Sequence, residues 1–276
     1  MSLTPTNERQ LTDAVGKRHE LAGATARIVS LVPSITELLF DLGLGPQIVG
    51  RTGFCIHPRD KVKRVPKVGG TKSIETPRIK RLAPTHLIVN IDENPRAAVE
   101  ELAKFVPHII VTHPCAPQDN VALYRLLGGI FGREEQAEQL CARFQSSLEH
   151  TLRTAAGWRR QTVLYLIWKS PWMTVSRDTY ISRMLATVGW DTWEAKSEAR
   201  YPTINLTAAV LQQVGFVLLS SEPYAFRERH CVEILDLLPA GAKARVALID
   251  GAMTSWYGSR AIEGLAYLSK FREELR

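Results

Sequence analysis

Several things are missing from this 276-residue chain, and each absence removes a class of function. No apolar run reaches the ~18 residues needed to span a bilayer as a helix. There is no Walker loop, no GxGxxG and no GxSxG, so nucleotide-fold and nucleophile-elbow signatures are lacking. Ser34 follows a predicted strand and precedes a helix, but its context is Val32-Pro33-Ser34-Ile35 rather than an elbow. No HExxH or HxxxH spacing occurs. The four cysteines, Cys55, Cys115, Cys141 and Cys231, form no CxxC pair and are compatible with either redox compartment. The first 26 residues hold no apolar h-region. That start suits a cytoplasmic chain if it is complete and an extracytoplasmic one if a leader has been trimmed.

What is present is a soluble globular composition, 45% hydrophobic and 23% charged, with a net charge of +7. The densest basic stretch, Lys61 to Lys67, alternates with Val and Pro and reads as a solvated loop, not a nucleic-acid patch. The most periodic stretch is Arg133 to Ala156. Ala137, Leu140, Cys141, Phe144, Leu148, Leu152 and Ala155 recur at the spacing of one helical face. At 1.5 Å per residue such a helix is about 35 Å long. It lies between two similar halves and reads as a strut joining two lobes, or as an ordinary surface helix.

The first half reads as a hairpin over Gln10–Leu21, then strand, helix, strand: Arg27 to Val32, a helix capped by Ser34 with Glu37 at N3, and Pro46 to Gly50. Strands follow at Thr85–Ile91 and Pro107–Thr112, with helices at Thr76–Leu82, Pro95–Phe105 and Asn120–Phe131. The second half has strands at Thr162–Trp168, Met173–Val175, Phe216–Ser220 and Val246–Asp250. Its helices are Asp178–Val188, capped by Asp178, then Leu206–Gln213, Glu228–Leu237 and Ser259–Leu275. The fold class is therefore α/β: two lobes of mostly parallel sheet flanked by helices and joined by one long helix. The expected boundaries are 1–118 for the N-terminal lobe, 119–158 for the linking helices and 159–276 for the C-terminal lobe.

Parallel sheets bind ligands beyond the carboxyl ends of their strands. The loops there carry Ser34, Phe54 and His57 in the first half, and Trp168, Trp172, Tyr224, Phe226, Trp256, Tyr257 and Arg260 in the second. The aromatics read as a binding wall for a large flat ligand, or as core. Arg260 reads as a cation for an acidic ligand group, or as half of a salt bridge. His57, His113, Glu222 and Asp250 are candidate metal ligands from separate loops, for which each single histidine is more ordinarily structural.

The run RIVSLVPSITELLFDLGLGPQIVG at Arg27–Gly50 resembles the opening of the helical-backbone substrate-binding proteins, the solute receptors of ABC importers for vitamin B12, ferric siderophores and haem. The likeness continues through Val68-Gly69-Gly70, LAPTHLIVN, LGGIFGREEQAEQL and Arg177-Asp178-Thr179-Tyr180. The loops FCIHP, WKSPWMTVSRDTY, SSEPYAF and DGAMTSWYGSR look like the vitamin B12 receptor branch. The resemblance implies a monomeric, non-enzymatic receptor with a shallow cleft and no intrinsic cofactor. Its ligand is a cobalamin or other corrinoid, with a ferric siderophore or haem next; it works in the periplasm, and its partner is an ABC permease. Such receptors dock through one glutamate on each lobe. Here those positions are Pro77, with Glu75 two residues earlier, and Thr207-Ala208, with Glu198 nearest upstream. The rival readings are a bare divalent-metal receptor, a cytosolic chelate-binding protein outside transport, and a metal-dependent hydrolase.

Overall fold

Short apolar runs rich in Val, Ile and Leu become strands buried on both faces, as parallel sheets require. In the computed structural model, which describes residues 11–195 and 197–276, the first half contains β1 (Ile28–Ser30), α1 (Pro33–Asp41), β2 (Ile48–Arg51), α2 (Arg59–Val62), α3 (Thr76–Leu82), β3 (His86–Asn90), α4 (Arg96–Ala103), β4 (His108–Thr112) and α5 (Asp119–Ile130). The helix α6 (Glu134–Ala155) follows. The second half contains β5 (Gln161–Leu166), α7 (Tyr180–Ala186), β6 (Trp190–Thr192), α8 (Ala208–Gln212), β7 (Phe216–Ser220), α9 (Glu228–Asp236), β8 (Arg245–Ile249), α10 (Gly251–Ser255) and α11 (Arg260–Glu274).

The strands form two parallel sheets of four, in the orders β2-β1-β3-β4 and β6-β5-β7-β8. Each sheet thus has its first strand beside its third, and the crossovers leave in opposite directions at that seam. Such a seam is a topological switch point, where the loops at the carboxyl ends part and leave a crevice. The chain divides into two compact units. One comprises the chain up to Pro114, Gln118–Phe144 and Tyr257–Arg260; the other comprises Cys115–Pro117, Gln145–Trp256 and Ala261–Arg276. The helix α6 begins in the first and ends in the second, so it is the long connecting helix of the fold.

Strand ends share one feature. Ser30, Asn90, Thr112 and Ser220 are each the last residue of a strand, polar, and buried. A buried polar group must find a partner. Ser30 Oγ donates to Val32 O and accepts from Thr36 Oγ1. Asn90 Oδ1 accepts from Asp92 N at 2.8 Å, and Asn90 N donates to Asn94 Oδ1 at 2.9 Å. Ser220 Oγ donates to Glu222 O at 2.6 Å and accepts from Tyr165 Oη at 3.0 Å. These bonds fix the path of each loop as it leaves the sheet.

Several expectations need correction. Helix α1 is not capped by Ser34: Val32 is its N-cap, no side chain caps it, and Pro33 occupies the first turn, where a missing N–H costs nothing. Thr179, not Asp178, caps α7 by accepting from Ser182 N, while Asp178 pairs with Arg200. The hairpin is reduced to one antiparallel bridge, Thr12↔Arg18, and its predicted first residue, Gln10, lies outside the described residues. Met173 makes isolated bridges instead of a strand. On α6 the buried stripe passes through Ala137, Cys141, Phe144 and Thr151, and Leu152 is exposed. A step of seven from Phe144 keeps closer to a straight helix than a step of eight, so Thr151 takes the inward place. Gly128 on α5 lets that helix lie against α6, because a Cβ there would stand 2.5 Å from that of Ala137.

In the first unit His86 on β3 is buried, with its ring stacked 4.6 Å from His108 on β4 and edge-on to Phe131. Burial, with repulsion from His108 and then His19, lowers its pKa from 6.5 to about 4. A histidine that folds neutral but protonates when unfolded costs stability as pH falls below the unfolded value. Between pH 6.5 and 4 the fold should therefore lose up to about 3 kcal/mol from this residue. Chemical denaturation across that range should show the loss, and His86→Phe should flatten it; an equal slope in both proteins would remove His86 from the account.

Candidate functional site

In the second unit the switch point lies between β5 and β7, so the loops after Leu166 and Ser220 open on the same crevice. Four residues expected there from the sequence are brought together. Trp168 meets Tyr224 edge-on at 5.6 Å, Tyr224 meets Phe226 at 4.7 Å, and Trp172 stacks on Phe226 at 6.1 Å with rings 1° from parallel. They differ in exposure. Phe226 is 3% exposed and belongs to the core, with Trp172 and Tyr224 packed against it. Trp168 is 39% exposed and presents its ring to solvent. The wall is thus both core and surface: the inner rings support the outer one.

Two residues of this wall were not anticipated. His230 on α9 packs against Tyr224 and Phe226, with its Nδ1 accepting from Arg227 N at 2.8 Å. Burial, then the nearby Arg229 and Lys169, lowers its pKa, which favours the neutral imidazole. Lys169 reaches over Trp172 at 5.5 Å and pairs with Glu233. The sequence signal for His230 is its place at the third position of the helix that follows the aromatic loop.

Glu222, expected as a metal ligand, is held in hydrogen bonds within its own unit. Its Oε1 accepts from Trp256 Nε1 at 2.6 Å and from Ser255 Oγ at 3.0 Å. Trp256 is 7% exposed, so the bond satisfies a buried indole and ties the β7 loop to α10. Gly251 makes the approach possible, because a Cβ there would come within 2.5 Å of Glu222 Cγ and Ser220 Oγ. Asp250 is the N-cap of α10, accepting from Met253 N at 3.2 Å. In the first unit His113 lies 3.5 Å from Asp92, and His57 is half-buried in the loop after β2. Among the described residues no three His, Cys, Asp or Glu side chains come together to hold a metal. The expected set His57, His113, Glu222 and Asp250 therefore forms no such cluster among the described residues, and two of its members, Glu222 and Asp250, are engaged in hydrogen bonds of their own loops.

The switch point of the first unit lies between β1 and β3. Asn94 closes that seam, its Nδ2 donating to Leu31 O and Thr71 O. Ser34 is buried in α1, with its Oγ unpartnered. Cys55 is also buried, its Sγ meeting the hydroxyls of Thr36 and Thr52, and burial pushes its thiol pKa up. Apolar side chains stand open on the neighbouring loops: Phe54 is 62% exposed and Ile91 47%. Tyr257 is buried and donates to Glu93 Oε1 at 2.7 Å. Arg260 is not a free cation: it makes a bidentate pair with Glu37, both side chains largely buried. Its fork is filled by a carboxylate of its own chain.

The Glu222–Trp256 bond has a measurable weight. Glu222→Ala strands a buried indole N–H and should cost about 1–3 kcal/mol in chemical denaturation, while Glu222→Gln keeps an acceptor and should cost less. Equal losses in both variants would show that the bond carries no such weight.

The family model for periplasmic binding proteins matches residues 28–229 of this chain. A vitamin B12-binding protein of Vibrio campbellii is 23% identical over 254 residues, which cover 92% of each chain. One of Pectobacterium carotovorum is 24% identical over 199 residues, 71% of this chain and 72% of its own. Among solved structures, the periplasmic vitamin B12-binding protein of Vibrio cholerae superposes with a TM-score of 0.77 at 18% identity, covering 90% of this chain and 96% of its own. The apo form of a periplasmic haem-binding protein from Roseiflexus sp. RS-1 gives 0.77 at 22% identity, covering 91% and 99%. The solved structures share the fold, two parallel sheets flanked by helices with a long connecting helix. The family model covers most of the chain, and the family is one of substrate-binding proteins, not enzymes: this chain belongs to the periplasmic binding protein family.

Proposed function

We propose that this protein is a solute receptor for a bulky metal chelate, a corrinoid first and haem or a ferric siderophore second, serving an ABC importer. The observation that carries the reading is the aromatic wall at the second unit's switch point, in which buried Phe226 and half-buried Trp172 hold Trp168 open to solvent. A rigid aromatic surface binds a flat ligand with little loss of side-chain entropy. Relatives named as vitamin B12-binding proteins put a corrinoid ahead of other chelates. Phe54 and Ile91 are exposed apolar side chains on the strand-end loops of the first unit. The bare-metal reading lacks a cluster of three donors among the described residues.

Calorimetric titration with cobalamin, cobinamide, haemin, ferric siderophores and Zn²⁺ separates these ligands. Saturable binding of a coloured chelate is the expected result; tight Zn²⁺ binding with no chelate binding would sink the proposal. Within that titration, Trp168→Ala should weaken the chelate by about 1.5–3 kcal/mol, roughly ten- to two-hundredfold. Its own stability should change by no more than about 1 kcal/mol, since the ring already meets water. Trp172→Ala, by contrast, should lower the melting temperature clearly, because that ring packs on the core. A Trp168→Ala protein that binds normally would leave the wall a packing feature only.

The importer partner is part of the same proposal. Glu75 stands at the N-terminus of α3 with its carboxylate half-exposed and paired to Arg78, and Glu198 is exposed. Neither occupies the docking position that the family uses, so binding to a vitamin B12-type permease in proteoliposomes should be weak and lost in Glu75→Ala/Glu198→Ala. A tight complex that survives both substitutions would disprove this docking route.

A further inference from the structure

The opposite end of the second unit's sheet, where its strands begin, bears no resemblance to the aromatic wall. Gln161 opens β5, Phe216 opens β7 and Arg245 opens β8, and beside them lies a recess of about 450 Å³. Its lining includes Arg159, Lys243, Arg245, Arg272 and Arg276, and no carboxylate side chain. Among the described residues none of these five is seen in an ion pair. Elsewhere arginines pair with acids, as Arg125 does with Glu138 and Arg160 with Asp191.

Arg272 is the unusual member. It is 3% exposed, and its guanidinium lies 5.1 Å from the ring of Trp190 and 5.5 Å from that of Phe216. Its Nη2 donates to Arg159 O at 3.1 Å, but its buried Nε has no partner. Burial, then Arg276 and Arg245, disfavours its charge. Arg245 lies over the same Phe216 ring at 5.5 Å and is fixed by its bond to Leu275 O, while Arg276 lies over Trp158 at 5.6 Å. The rings and carbonyls therefore hold several cations close together without neutralising them. A buried charge normally has an opposite charge beside it. A guanidinium whose buried Nε lacks a partner among the described residues is suited to an oxyanion.

We propose that this recess is a binding site for a phosphate-bearing anion, held by Arg272, Arg245 and Lys243. The site is separate from the strand-end loops at which the chelate is proposed to bind, and does not rest on that reading. The same chemistry fits a free phosphate compound or a phospholipid headgroup.

The test uses the full chain and two probes: pyrophosphate, followed by calorimetry and melting temperature, and phosphatidylcholine vesicles with and without phosphatidylglycerol, followed by co-sedimentation. Lys243 and Arg245 have exposed side chains, so Lys243→Gln/Arg245→Gln should fold. A charge-matched control, Lys61→Gln/Lys63→Gln, removes two exposed cations of the first unit. Saturable binding of either probe is expected, weakened at least about tenfold in the recess pair and little changed in the control. Pyrophosphate binding assigns the site to a free phosphate compound; binding confined to the anionic vesicles assigns it to a headgroup. Binding of neither probe, or equal weakening in both pairs of variants, would overturn the proposal.

Discussion

The structure depends on how buried parallel strands are ended. A strand covered on both faces can be apolar along its length, as Phe216–Ser220 and His86–Asn90 nearly are, but its backbone must turn toward water at its end. In this chain the turn is made by a polar residue that stays buried. Ser30, Asn90, Thr112 and Ser220 each bond to backbone or hydroxyl groups nearby. Each such bond contributes only about 1 kcal/mol net, but leaving the group unsatisfied costs more. The loops that follow are therefore held close to the sheet rather than left free. Tyr224, four residues beyond Ser220, is placed by that frame.

The order of the two sheets then decides where a ligand can approach. With the first strand beside the third, each unit has one seam at which the loops diverge. In the second unit that seam carries rings, and in the first it carries Asn94, Asp92 and Glu93 with Phe54 and Ile91 on the adjoining loops. The two units have the same topology and different chemistry at equivalent places.

Much of the fold could be read from the sequence, because its signals are local. Phe216–Ser220 is a strand wholly of buried residues, and α6 carries a helical stripe that needs no partner to be recognised. What was not legible is non-local. Strand β6 is three residues long, Trp190–Thr192, and exists only through its pairing with β5. Thr151 replaced Leu152 on the buried stripe because the exact phase of a helix is set by what it packs on. The aromatics of the candidate site were legible as a group, since they cluster in loops after strands. Their division into support and surface was not: Trp172 and Trp168 are four residues apart, and only the stacking of Trp172 on Phe226 separates their roles. The metal set failed for the same reason. Donor types can be read from a sequence, but Glu222 was already committed to Trp256, 34 positions away.

The clearest non-local case is Arg260. It meets Glu37 across 223 positions of sequence, with both side chains largely withdrawn from water. A buried ion pair is weak evidence for stability, since desolvation offsets most of the attraction, while breaking one side costs about 3–5 kcal/mol. Its value lies in specificity. Among the described residues after α6, Tyr257–Arg260 alone belongs to the first unit, and it does not rely on apolar packing alone. Tyr257 donates to Glu93, Asn120 accepts from Gly258 N at 2.6 Å, and Tyr124 donates to Gly258 O at 2.8 Å. Gly258 has φ +80° and lies 3.2 Å from Ser34 O at its would-be Cβ, so no other residue fits there without strain. Four directional contacts and one glycine define a single seat for these four residues, which apolar contact could not do, because it tolerates sliding. Of the two readings the sequence allowed for Arg260, a ligand cation or half of a salt bridge, the pair with Glu37 is the second, and it helps to fix the register of the returning chain.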